Sequence, residues 1–148
     1  MEKKDLKPAG VFKYFEEICQ VPRPSKKEEK MIAYLKAFGA KHNLETKVDE
    51  AGNVLIKKPA TPGKENLQTV VLQSHIDMVC EKNNDVQHDF LTDPIETEID
   101  GEWLKAKGTT LGADNGIGVA TELAILADDS IEHGPIECLF TVDEETGL

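Results

Sequence analysis

Positive charge is scarce in this chain: 17 Lys and Arg stand against 28 Asp and Glu, a formal net charge of −11 at pH 7. Such a surface repels nucleic acid and anionic membranes, so neither is expected as a partner. Cysteine is equally sparse. Cys19, Cys80 and Cys138 lie far apart with no Cys-x-x-Cys spacing, which argues against a disulfide framework and a thiolate zinc site. No apolar run approaches the length of a membrane span, and the opening Met1-Glu2-Lys3-Lys4-Asp5 is charged where a secretory signal needs an apolar stretch. A cytoplasmic location is expected. Internal repeats, low-complexity tracts, a Walker loop and a serine nucleophile elbow are all absent. The glycines from Gly112 to Gly118 lack the Gly-x-Gly-x-x-Gly spacing of a dinucleotide site.

What is present is 148 residues, 39% hydrophobic and 30% charged, enough for one domain with a substantial core. Val11, Phe15 and Ile18 recur at helical spacing after Pro8, and Ser25-Lys26-Lys27-Glu28 has the form of a capping box opening a second helix with Met31, Leu35 and Phe38 on its core face. The period then changes to two: Thr46 and Val48, the turn Ala51-Gly52-Asn53, and Val54-Leu55-Ile56 predict a hairpin. Thr69-Val70-Val71-Leu72 predicts a strand covered on both faces, ending at Ser74-His75. A second ribbon is expected about Asp100-Gly101, with Trp103 packing on it. A glycine-rich loop then feeds a helix with Val119, Leu123 and Leu126 on one side, and Ile136 to Val142 predicts another buried strand. Strands alternating with helices imply an α/β domain. Its last strand has no crossover partner before Leu148, so the chain is expected to be a piece of a longer one.

Three stretches carry chemistry, each at a strand-to-loop junction. In Ser74-His75-Ile76-Asp77, residues i and i+2 of a strand share a side, so Asp77 could hold one imidazole nitrogen of His75 while the other binds a metal. In Gly112-Ala113-Asp114-Asn115-Gly116, small residues surround one carboxylate and would leave room for cations. In Asp143-Glu144-Glu145-Thr146-Gly147, neighbouring carboxylates repel unless a cation offsets the cost. Each has a plain alternative: an ordinary strand-end hydrogen bond, an Asp-Asn-Gly turn with Asn115 as helix cap, and a solvated acidic loop. His42, His88 and His133 are expected on the surface, and Cys80 as a packed thiol.

Together these motifs resemble those of the co-catalytic zinc peptidases, the family of aminoacylase, carboxypeptidase G and the bacterial dipeptidases. Thr109 to Gly116, with Ser74 to Val79, is similar more narrowly to the aminoacyl-histidine dipeptidase branch, which hydrolyses Xaa-His dipeptides such as carnosine. The resemblance covers essentially all 148 residues. It implies a three-layer sandwich with a mainly parallel central sheet and helices on both faces. Residues 1–148 would be the N-terminal part of the metallopeptidase catalytic domain, without the lid domain and the remaining metal ligands.

The resemblance also implies two divalent metal ions, zinc or else manganese or cobalt. His75 would bind one, Glu145 the other, and Asp114 would bridge both. Asp77 would orient His75, Glu144 would act as general base, and the Asp114–Asn115 peptide would be cis. With two ligands for each ion rather than the usual three, this chain alone is expected to bind zinc weakly and hydrolyse nothing. The expected partners are a small dipeptide and further copies of the chain. Deacylation or deacetylation of an amino acid, by the same chemistry, and a non-catalytic cation-binding module are the competing readings.

Overall fold

The computed structural model describes residues 2–147. Helix α1 (Ala9–Cys19) follows Pro8 and buries Tyr14, Phe15, Ile18 and Cys19 along one stripe. Helix α2 (Glu29–Lys41) buries Met31, Leu35 and Phe38, as the spacing predicts. It begins at Glu29 without a side-chain cap. The expected capping box does not form, because the Ser25 hydroxyl is drawn to Asp77 instead, 2.7 Å away.

Strands β1 (Glu45–Val48) and β2 (Val54–Lys58) form the predicted hairpin. Its turn is closed by Asp49, whose Oδ1 accepts the N–H groups of Ala51, Gly52 and Asn53, each at 2.9 Å. Strand β3 (Val70–His75) leads into an irregular segment and then a separate ribbon, β4 (Thr97–Asp100) with β5 (Trp103–Ala106). Helix α3 (Ala113–Ala127) and strand β6 (Ile136–Thr141) follow, and one-turn 3-10 helices cover Lys3–Asp5 and Glu144–Thr146.

The α/β class stands, but the sheet is mixed rather than mainly parallel. Its order is β1-β2-β6-β3, and among these pairings only β3 with β6 is parallel. The reason is connectivity. Parallel strands need a long crossover, which α3 supplies between β3 and β6, whereas a tight turn forces β1 and β2 to run antiparallel.

The helices are likewise not divided between two faces. Gly39 of α2 rests against Thr46, whose pairing partner is Ile56, and Gly118 of α3 rests against Ser74, whose partner is Phe140. Thr46, Ile56, Phe140 and Ser74 therefore lie on one side of the sheet, and α1 packs on α3 through Gly10 and Ala124. On that side Val54, Ile56, Cys138 and Phe140 are fully buried. On the other, Leu55, Lys57, Glu137 and Leu139 are half-buried and Val71 is exposed. Lys58 brings a charge to the covered side: its ammonium donates to Ile125 O and Asp128 O at the C-terminus of α3, where the helix dipole favours a cation.

Two further expectations are corrected. Val70 and Val71 are more than half exposed, because β3 is an edge strand in this sheet. Trp103 is 76% exposed on the ribbon and packs on little of it.

Candidate metal centre

The parallel pair β3 and β6 ends on one edge of the sheet, where Ile76 N donates to Thr141 O at 2.8 Å. Ligand sites of open α/β sheets lie beyond this edge, at the carboxyl ends of parallel strands. His75 ends β3, and the stretch Asp143-Glu144-Glu145 directly follows β6 and Val142. Asp114 enters from a third direction, in the first turn of α3, after Gly112 in the left-handed region at φ 72°. Backbone geometry at Asp114 and Asn115 is not helical, and the peptide between them is cis.

These segments converge. His75 Nε2 lies 2.9 Å from Asp114 Oδ1, 3.8 Å from Glu145 Oε1 and 3.7 Å from Glu144 Oε2. Donor atoms of His75, Asp114 and Glu145 all fall within 4.8 Å of one another. Ligand atoms about a tetrahedral zinc stand about 3.3 Å apart, as bond lengths near 2 Å require, so the three donors are close enough to serve one metal centre with modest adjustment. One imidazole with two carboxylates is a nitrogen and oxygen donor set suited to zinc, manganese or cobalt. His75 is buried, while the Asp114 side chain is largely open to solvent.

The second imidazole nitrogen, Nδ1, faces Asp77: 3.0 Å from its carbonyl oxygen and 3.3 Å from its carboxylate Oδ1. Burial alone would lower the pKa of His75. Asp114, the Asp77 carbonyl and the charges of Asp77 and Glu144 outweigh it and hold the ring above its ordinary value in the metal-free protein.

Asp77 does more than the sequence suggested. Its fully buried carboxylate accepts Glu144 N and Glu145 N, each at 3.1 Å, besides Ser25 Oγ. One side chain thus fixes the histidine and the turn that presents both glutamates. Burial raises its pKa, but Ser25, the two backbone N–H groups and His75 lower it further, so the net displacement is downward. Glu28 Oε1 takes Asp143 N at 3.2 Å and Lys26 N at 2.7 Å, supporting the same turn from below. Glu28, Asp77 and Asp143 also approach within 4.8 Å, but N–H and O–H donors already engage the first two.

Cys80 is half-buried and raised in pKa by burial, as suits a packed thiol. His42 and His88 are half-buried against Phe38 and Phe90 rather than free on the surface.

Residues 71–148 match the family model described as peptidase family M20/M25/M40. The chain is 51% identical over 147 residues to the cytosol non-specific dipeptidase of Escherichia coli, covering 99% of this chain and 30% of that protein. It matches the crystal structure of the aminoacylhistidine dipeptidase of Vibrio alginolyticus at 55% identity and a TM-score of 0.95, with 99% of this chain and 30% of that one covered. Aminopeptidase PepT of Bacillus cereus is similar at 25% identity and a TM-score of 0.76, over 93% of this chain and 37% of that structure. The chain therefore spans about 30% of the length of the dipeptidases it matches. Among the described residues no helix is long and apolar enough to cross a membrane.

Proposed function

This chain belongs to peptidase family M20/M25/M40, a metal-dependent family, and from that membership we propose that it is the N-terminal part of the catalytic domain of a cytoplasmic metallo-dipeptidase. The observation that carries the proposal is the meeting of His75, Asp114 and Glu145 donors from three separate stretches within 4.8 Å. The names of its relatives, a non-specific dipeptidase and an aminoacylhistidine dipeptidase, support short peptides, Xaa-His among them, as substrates.

In this reading His75, Asp114 and Glu145 would hold two divalent cations, zinc foremost. Cations so held polarise a scissile carbonyl and make water more acidic. Asp77 keeps the His75 tautomer by receiving Nδ1–H, which leaves Nε2 for the ligand. Glu144 stands beside the ligands with a half-exposed side chain and is the group placed to take a proton from water and return it to the leaving amine. The described residues supply two protein ligands for each of two cations rather than the usual three, so weak zinc binding is expected of residues 1–148. Copies of the chain associating through the uncovered sheet face are the other partner the reading carries.

The test is Xaa-His hydrolysis by the full-length protein, with and without a chelator. Chelation abolishes turnover, and Glu144→Gln lowers kcat about 10²- to 10⁴-fold. Full activity in that variant, or in the presence of chelator, would overturn the assignment.

A further inference from the structure

Arg23 is an unexpected occupant of this region. It is 2% exposed and among the largest fully buried side chains of the molecule. Burying a guanidinium is costly unless its donors are well placed. Its hydrogen bonds go to backbone carbonyls of two different motifs: Nη1 donates to Ile76 O at 3.1 Å and Nη2 to Gly112 O at 2.7 Å. Ile76 lies between His75 and Asp77, and Gly112 lies two residues before Asp114. The Arg23 main chain adds a third tie, since Met78 N donates to Arg23 O at 3.0 Å.

The glycines around Asp114 fit this arrangement. A Cβ at either Gly112 or Gly116 would stand 2.6 Å from Arg23 Nη2, so the space these residues leave is filled by the guanidinium. Two residues further on, Ser25 Oγ binds the Asp77 carboxylate, and Glu28 Oε1 binds Asp143 N. The segment from Arg23 to Glu28 thus touches all three stretches that supply the donors.

We propose that Arg23 is a positioning residue of the metal centre: its guanidinium fastens the Gly112 loop, and with it Asp114, to the end of β3 that carries His75, while Ser25 and Glu28 fasten the glutamate turn. This rests on the metal-centre reading above and deepens it. Arginine suits the task because its planar fork spans two acceptors from a fixed position, which the single ammonium of lysine does not. Sign separates positioning from electrostatics. A buried positive charge near the site repels cations, so its removal should tighten metal binding if positioning plays no part.

The experiment measures Zn²⁺ affinity of the intact protein by competition with a chromophoric chelator, for wild type, Arg23→Met, Arg23→Lys and His75→Ala, with circular dichroism recording the fold. Arg23→Met, folded, is expected to bind Zn²⁺ at least tenfold more weakly, and Arg23→Lys to lose affinity despite keeping the charge. Unchanged or tighter binding in either folded variant would overturn the proposal, and Arg23→Lys decides it should Arg23→Met not fold. His75→Ala separates the two levels: wild-type affinity in that variant would show that the metal-centre reading itself had failed.

Discussion

Asp77 and Glu122 are both buried carboxyl groups, 0% and 4% exposed, and they titrate in opposite directions. Asp77 lies at the end of β3 among donors: Ser25 Oγ, two backbone N–H groups and His75. Glu122 lies on α3 beneath the sheet, near Ser74 and Cys138, and its Oε2 has no hydrogen-bond partner among the described residues. Burial pushes its carboxyl up to about 7, against a smaller pull from those two neighbours. In return it helps raise the pKa of the buried Cys138 thiol, for which burial is the main cause. Burial is common to both regions, so the supply of donors decides whether a buried acid stays ionised. The metal-site edge is built to hold negative charge, and the interior two turns along α3 is not.

Removing the donor-rich acid should have the largest effect. Asp77→Asn would leave the Glu144 and Glu145 N–H groups facing an amide, and a loss of about 3 kcal/mol is expected in denaturant unfolding at pH 7. Its pH signature sharpens the contrast. Because the folded pKa of Asp77 is lowered, its contribution is present above the unfolded value of about 4 and disappears as pH falls through the folded value. Unfolding curves of the variant should therefore converge towards wild type in acid.

Glu122 has the opposite sign. Its folded pKa is raised from 4.5 to about 7, so the folded state holds the extra proton, and wild-type stability falls as pH rises between those values. Glu122→Gln should be more stable than wild type by on the order of 2 kcal/mol at pH 8, with the gain vanishing near pH 4. In melting temperature that is roughly 4 to 8 °C for a chain of this size. Equal stability across the range would erase the comparison. Ser25→Ala removes one donor from Asp77 and should cost about 1 kcal/mol, with the Asp77 pKa moving back upward by NMR titration. At the small end, Lys105→Ala breaks exposed pairs with Asp100 and Glu98 on the outer ribbon and should leave the melting temperature unchanged.

Much of this was legible in the residues. Helical spacing placed Phe15, Ile18, Leu35 and Phe38 in the core, and the order of the three acidic motifs anticipated which side chains would meet. The supports were not legible. Ser25-x-x-Glu28 has the form of a helix cap, and only the fold shows both residues turned toward Asp77 and Asp143. Glu122 carried a signal that went unread: it sits one position before Leu123 and three after Val119, on the apolar stripe of α3, where a charged residue is out of place. The mixed sheet was missed because local spacing reveals strands without the order in which they pair. The continuous apolar run of β3 suggested cover on both faces that these residues do not provide.

The central claim, that His75, Asp114 and Glu145 serve one cation-binding centre, is tested most directly by titrating Zn²⁺ into the purified chain beside His75→Ala, Asp114→Ala and Glu145→Ala. The account predicts weak, saturable binding by the wild type and at least a tenfold loss in each variant. Equal affinity in all four proteins would contradict it.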